Sequence, residues 1–245
     1  MPAARTVLIT GGAGGIGRAI GAAFAQAGDS VVLADLDGAE ETAKPLGGHG
    51  IRLDITDEAA ISAALDEVGP VDVLVNNAGL LSIHGRLLEL PGADLLRILS
   101  TNVHGTFLMT QLVARRMVER RTAGHSAPGV VVNLSSIGGR QPTPGMGGYE
   151  SSKAAVDALT RWAAIELAEH QIRVNAVAPG PVATPMLAAA MPPGSPAHDA
   201  WVARIPDGRM AAVEDVAAAV VFLASPAAAH ITGTSLPVDG GQLLT

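Results

Sequence analysis

The sequence predicts an α/β fold built on a doubly wound parallel sheet, and three features of the chain indicate it. Short runs rich in Val and Ile, such as residues 7–9 and 130–132, are continuously apolar, which is typical of strands buried on both faces. Helical patterns separate these runs, so that strands and helices alternate along the chain. Hydrophobic residues make up 48% of the chain and charged residues only 16%, which indicates a large buried core.

The elements can be assigned in order from these patterns. The predicted strands lie at residues 7–9, 31–33, 71–75, 130–132, 172–177 and 235–238. The predicted helices lie at residues 16–27, 58–68, 94–121, 153–170 and 213–224. No linker divides the chain, so residues 1–245 are predicted to form a single dinucleotide-binding and catalytic domain. The proline-rich segment 179–209 is irregular, and residues 184–209 within it are predicted to form a substrate loop.

The charge and composition of the chain exclude several classes of partner. A formal net charge of −7 gives no basic field for nucleic acid or for an anionic membrane. The longest notable apolar run, residues 216–224, is too short to span a bilayer. The chain has no cysteine, which is consistent with a cytoplasmic location. Its seven histidines, His125 among them, are not at metal-ligand spacing, so no metal site is predicted.

A glycine-rich turn follows the first strand in the segment TGGAGGIGRAI, residues 10–20. Glycines let the backbone approach a pyrophosphate closely, and the helix that follows offers free N–H groups at its N-terminus. The spacing T-G-x-x-x-G-x-G includes Gly11, Gly15 and Gly17. Asp35 ends the second strand, where a carboxylate can accept hydrogen bonds from ribose hydroxyls and repel a 2′-phosphate. The sequence therefore predicts an NAD site, with Arg18 as the nearby base that could favour NADP.

Tyr149 is the only tyrosine of the chain, and it precedes Lys153 by four positions. On a helix both side chains would project from one face. A tyrosine pKa near 10 must fall by roughly 3 units for the phenol to act as a base near neutral pH. An ammonium about 4 Å away contributes about 4 kcal/mol at an effective dielectric constant near 20, and a positive nicotinamide ring would add to it. We therefore expect Lys153 to lower the pKa of Tyr149. Ser136 ends an earlier strand, where it could hold a substrate oxygen or cap a turn.

These segments resemble the classical short-chain dehydrogenase/reductase family over essentially the whole chain. The resemblance is carried by TGGAGGIG at residues 10–17, NNAG at 76–79, STNVHG at 100–105, the Tyr149–Lys153 pair, NAVAPGPVATPM at 175–186 and LPVDGG at 236–241. It implies a Rossmann-type sheet of about seven strands with helices on both faces. It also implies a homotetramer, and the predicted helix from Lys153 is apolar on nearly every side, as a helix between subunits would be.

The resemblance also implies a role for each site residue. Tyr149 would be the general acid/base, and Lys153 would bind the nicotinamide ribose. Ser136 would orient the carbonyl or alcohol, and Asn102 would support a water-linked proton path to Lys153. The implied cofactor-binding residues are Gly11, Gly15, Ile16, Gly17, Asp35, Leu36, Asp54, Ile55, Asn77, Ala78, Gly79, Tyr149, Lys153, Pro179, Gly180, Val182 and Thr184.

The leading hypothesis is an oxidoreductase that transfers a hydride between NAD(H) and a secondary alcohol or ketone. One alternative is a 3-oxoacyl-thioester reductase, for which the basic helix end at residues 114–121 could bind an acidic acyl carrier protein. Another is a catalytically silent NAD-binding protein on the same fold. The substrate walls are expected at residues 80–86, 137–147 and 186–209, and the mixed composition of these walls does not identify the substrate.

Overall fold

Seven β-strands and nine α-helices are described in this computed structural model, which covers residues 4–124 and 128–245. The strands are β1 (Thr6–Thr10), β2 (Ser30–Asp35), β3 (His49–Arg52), β4 (Val73–Asn76), β5 (Gly129–Leu134), β6 (Ile172–Pro179) and β7 (Ser235–Val238). The helices are α1 (Gly15–Gln26), α2 (Ala39–Ala43), α3 (Glu58–Val68), α4 (Gly92–Leu99), α5 (Thr106–Thr122), α6 (Gly147–Leu167), α7 (Pro185–Ala190), α8 (Pro196–Val202) and α9 (Val213–Ala224). None of the helices in the described ranges combines the length and apolar content that a bilayer crossing requires.

The strands form one parallel sheet in the order β3-β2-β1-β4-β5-β6-β7. The chain first winds outward from β1 to β3 and then returns to β4 on the other side of β1. The direction of winding therefore reverses between β1 and β4, as a doubly wound sheet requires, and the predicted fold class is confirmed. This reversal opens a crevice at the carboxyl ends of β1 and β4, where sheets of this kind bind ligands.

Successive residues of the central strands enter two apolar layers, one on each face of the sheet. Val7 and Ile9 of β1 belong to the layer that contains Phe24 of α1 and Leu223 of α9. Leu8 of β1 belongs to the opposite layer, which α3 and α5 cover. Because both faces are covered, apolar side chains occupy consecutive strand positions, which explains the continuous apolar runs in the sequence.

The helix predicted over residues 94–121 is interrupted. α4 ends at Leu99, a π-helical turn covers Ser100–Gly105, and α5 begins at Thr106. A π-helical turn accommodates one extra residue in a helix, and the apolar periodicity on either side does not reveal it. Asn102 lies in this turn and is buried.

Three further elements differ from the sequence prediction. β3 is a short edge strand in which only Ile51 is buried, so it has no apolar run from which to predict it. α6 begins at Gly147, before the predicted start at Lys153, so that Tyr149 is part of the same helix. The proline-rich segment contains the short helices α7 and α8, and each has a proline in its first turn.

Candidate active site

The turn between β1 and α1 is lined by glycine backbone, and side chains at these positions would clash with neighbouring atoms. Gly11 has a φ of 63°, and a Cβ at this position would lie 2.8 Å from Cα of Ala78. A Cβ on Gly17 would lie 2.1 Å from the carbonyl oxygen of Gly11, so α1 can begin here only without a side chain. Nδ2 of Asn77 donates to the carbonyl oxygens of Thr10 and Gly11 at 3.1 and 2.9 Å, which fixes the turn. The turn and the α1 N-terminus therefore fit the pyrophosphate of a dinucleotide.

Asp35 lies beside this turn at the carboxyl end of β2. One carboxylate oxygen accepts a hydrogen bond from N–H of Ala13 at 3.0 Å, and the other accepts from N–H of Leu36 at 2.8 Å. The carboxylate is thus held at the edge of the crevice, where it fits ribose hydroxyls. Arg52 ends the neighbouring strand β3, and its Nε donates to the carbonyl oxygen of Leu36 at 3.0 Å. Arg18 was the nearby base predicted from the sequence, whereas pairing of β2 with β3 brings Arg52 to this position.

Asn102 fixes the loop that follows β4. Its Oδ1 accepts from N–H of Leu80 at 2.6 Å, and its Nδ2 donates to the Leu80 carbonyl oxygen at 3.2 Å and to Oγ of Ser152 at 2.9 Å. A Cβ on Gly79 would lie 3.5 Å from both Oδ1 of Asn102 and Nζ of Lys153. The Asn102 side chain therefore positions the loop against α6, and its part in a proton path stays a prediction.

The predicted acid/base pair lies on α6 and faces the carboxyl end of β5. Nζ of Lys153 donates to the carbonyl oxygen of Leu134 at 2.6 Å and lies 5.6 Å from the centroid of the Tyr149 ring. Ser136 follows β5, and its Oγ accepts from N–H of Gly138 at 3.1 Å, so the hydroxyl caps a turn. Tyr149, Ser136 and Lys153 also line one cavity, in which a substrate oxygen could meet the phenol and the serine hydroxyl.

Burial is the largest influence on the pKa values of Tyr149 and Lys153. It raises the pKa of Tyr149 to about 12, against the hydrogen bond with Ser136, and Glu150 adds to the rise. It lowers the pKa of Lys153 to about 8, and the Asp157 carboxylate opposes this change. The expected fall in the Tyr149 pKa is therefore wrong for this structure, because the loss of hydration on burial raises that pKa. The phenol is protonated at neutral pH.

Glu150 is a buried carboxylate that was not among the predicted site residues. Both of its oxygens accept from N–H of Thr143, at 2.8 and 2.9 Å, which ties the preceding loop to the start of α6. The residue is buried and lines the cavity beside Tyr149. In the sequence, a glutamate at this position has the pattern of an ordinary acid in the first turn of a helix, so no signal marked it.

The cavity has a volume of about 830 Å³, and every predicted cofactor-binding residue lines it. Their individual binding roles stay predictions. The expected substrate walls contribute Leu80, Leu81, Ile137, Gly138, Gln141, Thr143, Met146, Met186, Leu187, Met191 and Trp201. Arg97 and Gln242 also line the cavity and were not foreseen. Within residues 4–124 and 128–245, no cluster of three His, Asp or Glu side chains could hold a metal ion, and His125 lies outside the described residues.

This combination of fold and site defines a dinucleotide-binding oxidoreductase. The glycine-rich turn lies where the winding of the sheet reverses, and Ser136, Tyr149 and Lys153 lie at the carboxyl end of β5. The chain belongs to the short-chain dehydrogenase/reductase family. A family model described as enoyl-(acyl carrier protein) reductase matches residues 11–242.

Relatives of known activity match the chain over almost its whole length. L-xylulose reductase of Bos taurus is 40% identical, over 99% of this chain and 98% of the relative. Cis-4-hydroxycyclohexanecarboxylate dehydrogenase of Sinomonas cyclohexanicum is 39% identical, over 98% of this chain and 96% of the relative. Among solved structures, 3-ketoacyl-(acyl-carrier-protein) reductase of Brucella melitensis, complexed with NADH, matches with a TM-score of 0.89 and 35% identity, over 97% of this chain and 98% of that one.

Proposed function

We propose that this protein is an NAD(H)-dependent oxidoreductase that interconverts a secondary alcohol and its ketone. The observation that carries the proposal is that the hydroxyls of Tyr149 and Ser136 and the amine of Lys153 share one cavity with the glycine-rich turn. The bound dinucleotide would supply or accept the hydride at its nicotinamide ring and, when oxidised, would add a positive charge. The glycine turn would hold its pyrophosphate, and Lys153 would hold the nicotinamide ribose.

Tyr149 would move the proton in this reaction. Because its pKa is raised to about 12, the phenol carries its proton at neutral pH and can donate it to the carbonyl oxygen during ketone reduction. The Ser136 hydroxyl would hold the same oxygen. The phenolate that forms would be stabilised by Lys153, which is an ammonium below its pKa of about 8. Alcohol oxidation runs in the opposite direction, so the phenol must first lose its proton.

NAD is the proposed cofactor because Asp35 is fixed where a 2′-phosphate would meet its negative charge. The Brucella relative, which is complexed with NADH, supports this choice. The decisive experiment is a panel of secondary alcohols and ketones assayed with NAD(H) and with NADP(H), in which the absorbance of the reduced nicotinamide is followed. Failure of the purified protein to turn over any of them with either cofactor would contradict the proposal and favour a silent binding protein.

A 3-oxoacyl-thioester reductase is the second candidate, because the Brucella relative has that activity. The ion pairs of the arginines near the end of α5 argue against binding of an acyl carrier protein at this surface. Arg116 pairs with Asp66 at 2.7 Å, and Arg120 pairs with Asp72 at 3.0 Å. Acyl carrier proteins are acidic, and internal pairing leaves less positive charge to attract one. Assay of a 3-oxoacyl thioester in the same panel distinguishes the two functions.

We also propose that the protein is a homotetramer. On α6, Trp162 is 51% exposed and Ile165 is 80% exposed, and the Trp162 ring stacks on Phe107 of α5 with centroids 6.0 Å apart. An exposed apolar face of this kind across two helices is typical of a subunit interface. Light scattering at micromolar concentration tests the proposal, and a monomer would contradict it. The cytoplasmic location stays a prediction for cell fractionation.

A further inference from the structure

Gln242 lines the cavity, and its amide oxygen is buried without a hydrogen bond from any described residue. The residue is 1% exposed, and its Oε1 has no hydrogen-bond partner among the described residues. Gln141 lines the same cavity; its Nε2 donates to the backbone oxygen of Thr245 at 3.3 Å, and its Oε1 is buried without a partner in the described ranges. Buried side-chain polar atoms are nearly always hydrogen-bonded. Gln242 and Gln141 therefore place carboxamides with unsatisfied hydrogen-bonding capacity at the wall of one cavity.

The backbone that carries Gln242 is fixed independently of any ligand. The Asp239 carboxylate accepts from N–H of Gly241 at 3.0 Å, and Oγ1 of Thr245 donates to the Gln242 carbonyl oxygen at 2.9 Å. Gly180 follows the end of β6, and a Cβ there would lie 3.6 Å from Oε1 of Gln242. The amide is thus preorganised at the same end of the sheet as the reacting groups.

We propose that Gln242, together with Gln141, binds a substrate hydroxyl other than the reacting one, so that the preferred substrates are polyhydroxylated alcohols and their ketones. A hydroxyl donates and accepts, so it satisfies a carboxamide whichever of its two polar atoms faces the ligand. An unsubstituted hydrocarbon chain or fatty acyl group offers neither function and would leave both amides unsatisfied. This inference rests on the proposed function, in which Tyr149 meets the reacting oxygen.

The remaining walls are consistent with a substrate of this kind. Met186, Met191 and Trp201 line the cavity and come from α7, α8 and the segment between them. They can pack against the carbon skeleton, while the two amides select the pattern of hydroxyls. Small-molecule sites commonly combine an apolar lining with a few polar groups that fix orientation.

The test compares two five-carbon substrates with NAD, 2-pentanol and a pentitol, in the native protein and in the Gln242→Met variant. Methionine keeps the unbranched shape and removes both polar atoms. We expect kcat/KM for the pentitol to fall about ten- to a hundredfold, and the fall for 2-pentanol to be several-fold smaller. Gln26→Met, an exposed change at the end of α1, is the matched control. Equal falls for both substrates, or no fall for the pentitol, would overturn the inference.

Calorimetric titration of the pentitol into the dinucleotide-loaded protein separates this inference from the proposed function. If neither substrate is turned over but the native protein binds the pentitol and Gln242→Met binds it at least tenfold more weakly, the inference stands and the proposed function fails. Absent binding, or equal binding by both proteins, would overturn the inference. If circular dichroism shows that Gln242→Met is unfolded, Gln242→Asn replaces it, because the shorter amide retracts the polar group, and the same weakening is expected.

Discussion

Lys153 donates a 2.6 Å hydrogen bond from Nζ to the carbonyl oxygen of Leu134, where β5 ends. This bond holds the ammonium at the end of the sheet, 5.6 Å from the centroid of the Tyr149 ring. Burial is nevertheless the largest influence on the pKa of Tyr149, which it raises to about 12. The site is consequently prepared to donate a proton.

Removal of the phenolic hydroxyl should stop catalysis and preserve cofactor binding. In the Tyr149→Phe variant we expect kcat to fall by about 10²–10⁴, the usual contribution of a positioned acid or base. The glycine turn and Asp35 are untouched, so titration of NADH fluorescence should give a Kd close to that of the native protein. A Tyr149→Phe protein with native turnover would exclude the proposed role.

The two reaction directions should respond oppositely to pH. The Tyr149 pKa is raised, so its neutral acid form persists at neutral pH; the Lys153 pKa is lowered to about 8, so its ammonium is lost above that value. Ketone reduction should therefore be fast below about pH 8 and decline above it, whereas alcohol oxidation should accelerate from neutral pH upward as the phenol deprotonates. Initial rates in both directions across this range provide the measurement, and an oxidation rate that is flat with pH would contradict the mechanism.

The buried amine of Lys153 should reduce the stability of the fold. Its pKa is lowered from 10.5 to about 8, so an unfolded chain binds this proton more strongly than the folded one. The penalty is complete below about pH 8 and vanishes as the pH rises to 10.5. Lys153→Met should thus raise the free energy of unfolding at pH 7 by about 1–3 kcal/mol, less the lost bond to Leu134, with a smaller gain at pH 9.

Urea unfolding at the two pH values measures this effect. The exposed Lys44 is the other lysine of the chain, and Lys44→Met is the control, for which little change is expected at either pH. A Lys153→Met protein that is less stable than the native one at pH 7 would show that the hydrogen bond outweighs the cost of the buried charge.

Cofactor choice should depend on the balance between Asp35 and Arg52. In Asp35→Ser the repulsion of a 2′-phosphate is removed, while Arg52 stays next to the site through its bond to Leu36. We expect the ratio of kcat/KM for NADP to that for NAD to rise about tenfold or more. Asp37→Ser, at an exposed neighbouring position, should produce a smaller rise. If the gain in Asp35→Ser survives a further Arg52→Ala change undiminished, Arg52 has no part in it.

The parts of the site that could be predicted from sequence are those encoded within a few residues. The glycine-rich turn, its position after β1 and the four-residue spacing of Tyr149 and Lys153 are local patterns with a direct steric or helical meaning. The continuous apolar strands likewise predicted a sheet covered on both faces, as the two apolar layers confirm.

The parts that could not be predicted depend on neighbours distant in sequence. Arg52 reaches Asp35 through the pairing of β2 with the weakly apolar strand β3, and Gln242 reaches the cavity through a turn near residue 245. The pKa of Tyr149 was wrongly expected to fall because spacing reveals a nearby charge but not the burial that opposes it.

The π-helical turn Ser100–Gly105 makes the connection from α4 to α5 one residue longer than a straight helix would need. Loss of one residue, for example Val103, should restore regular helical spacing and keep the packed faces of both helices in phase. The same deletion would displace Asn102 and break its two hydrogen bonds to the backbone of Leu80. A single-codon deletion at this turn should therefore spare the architecture and impair the chemistry.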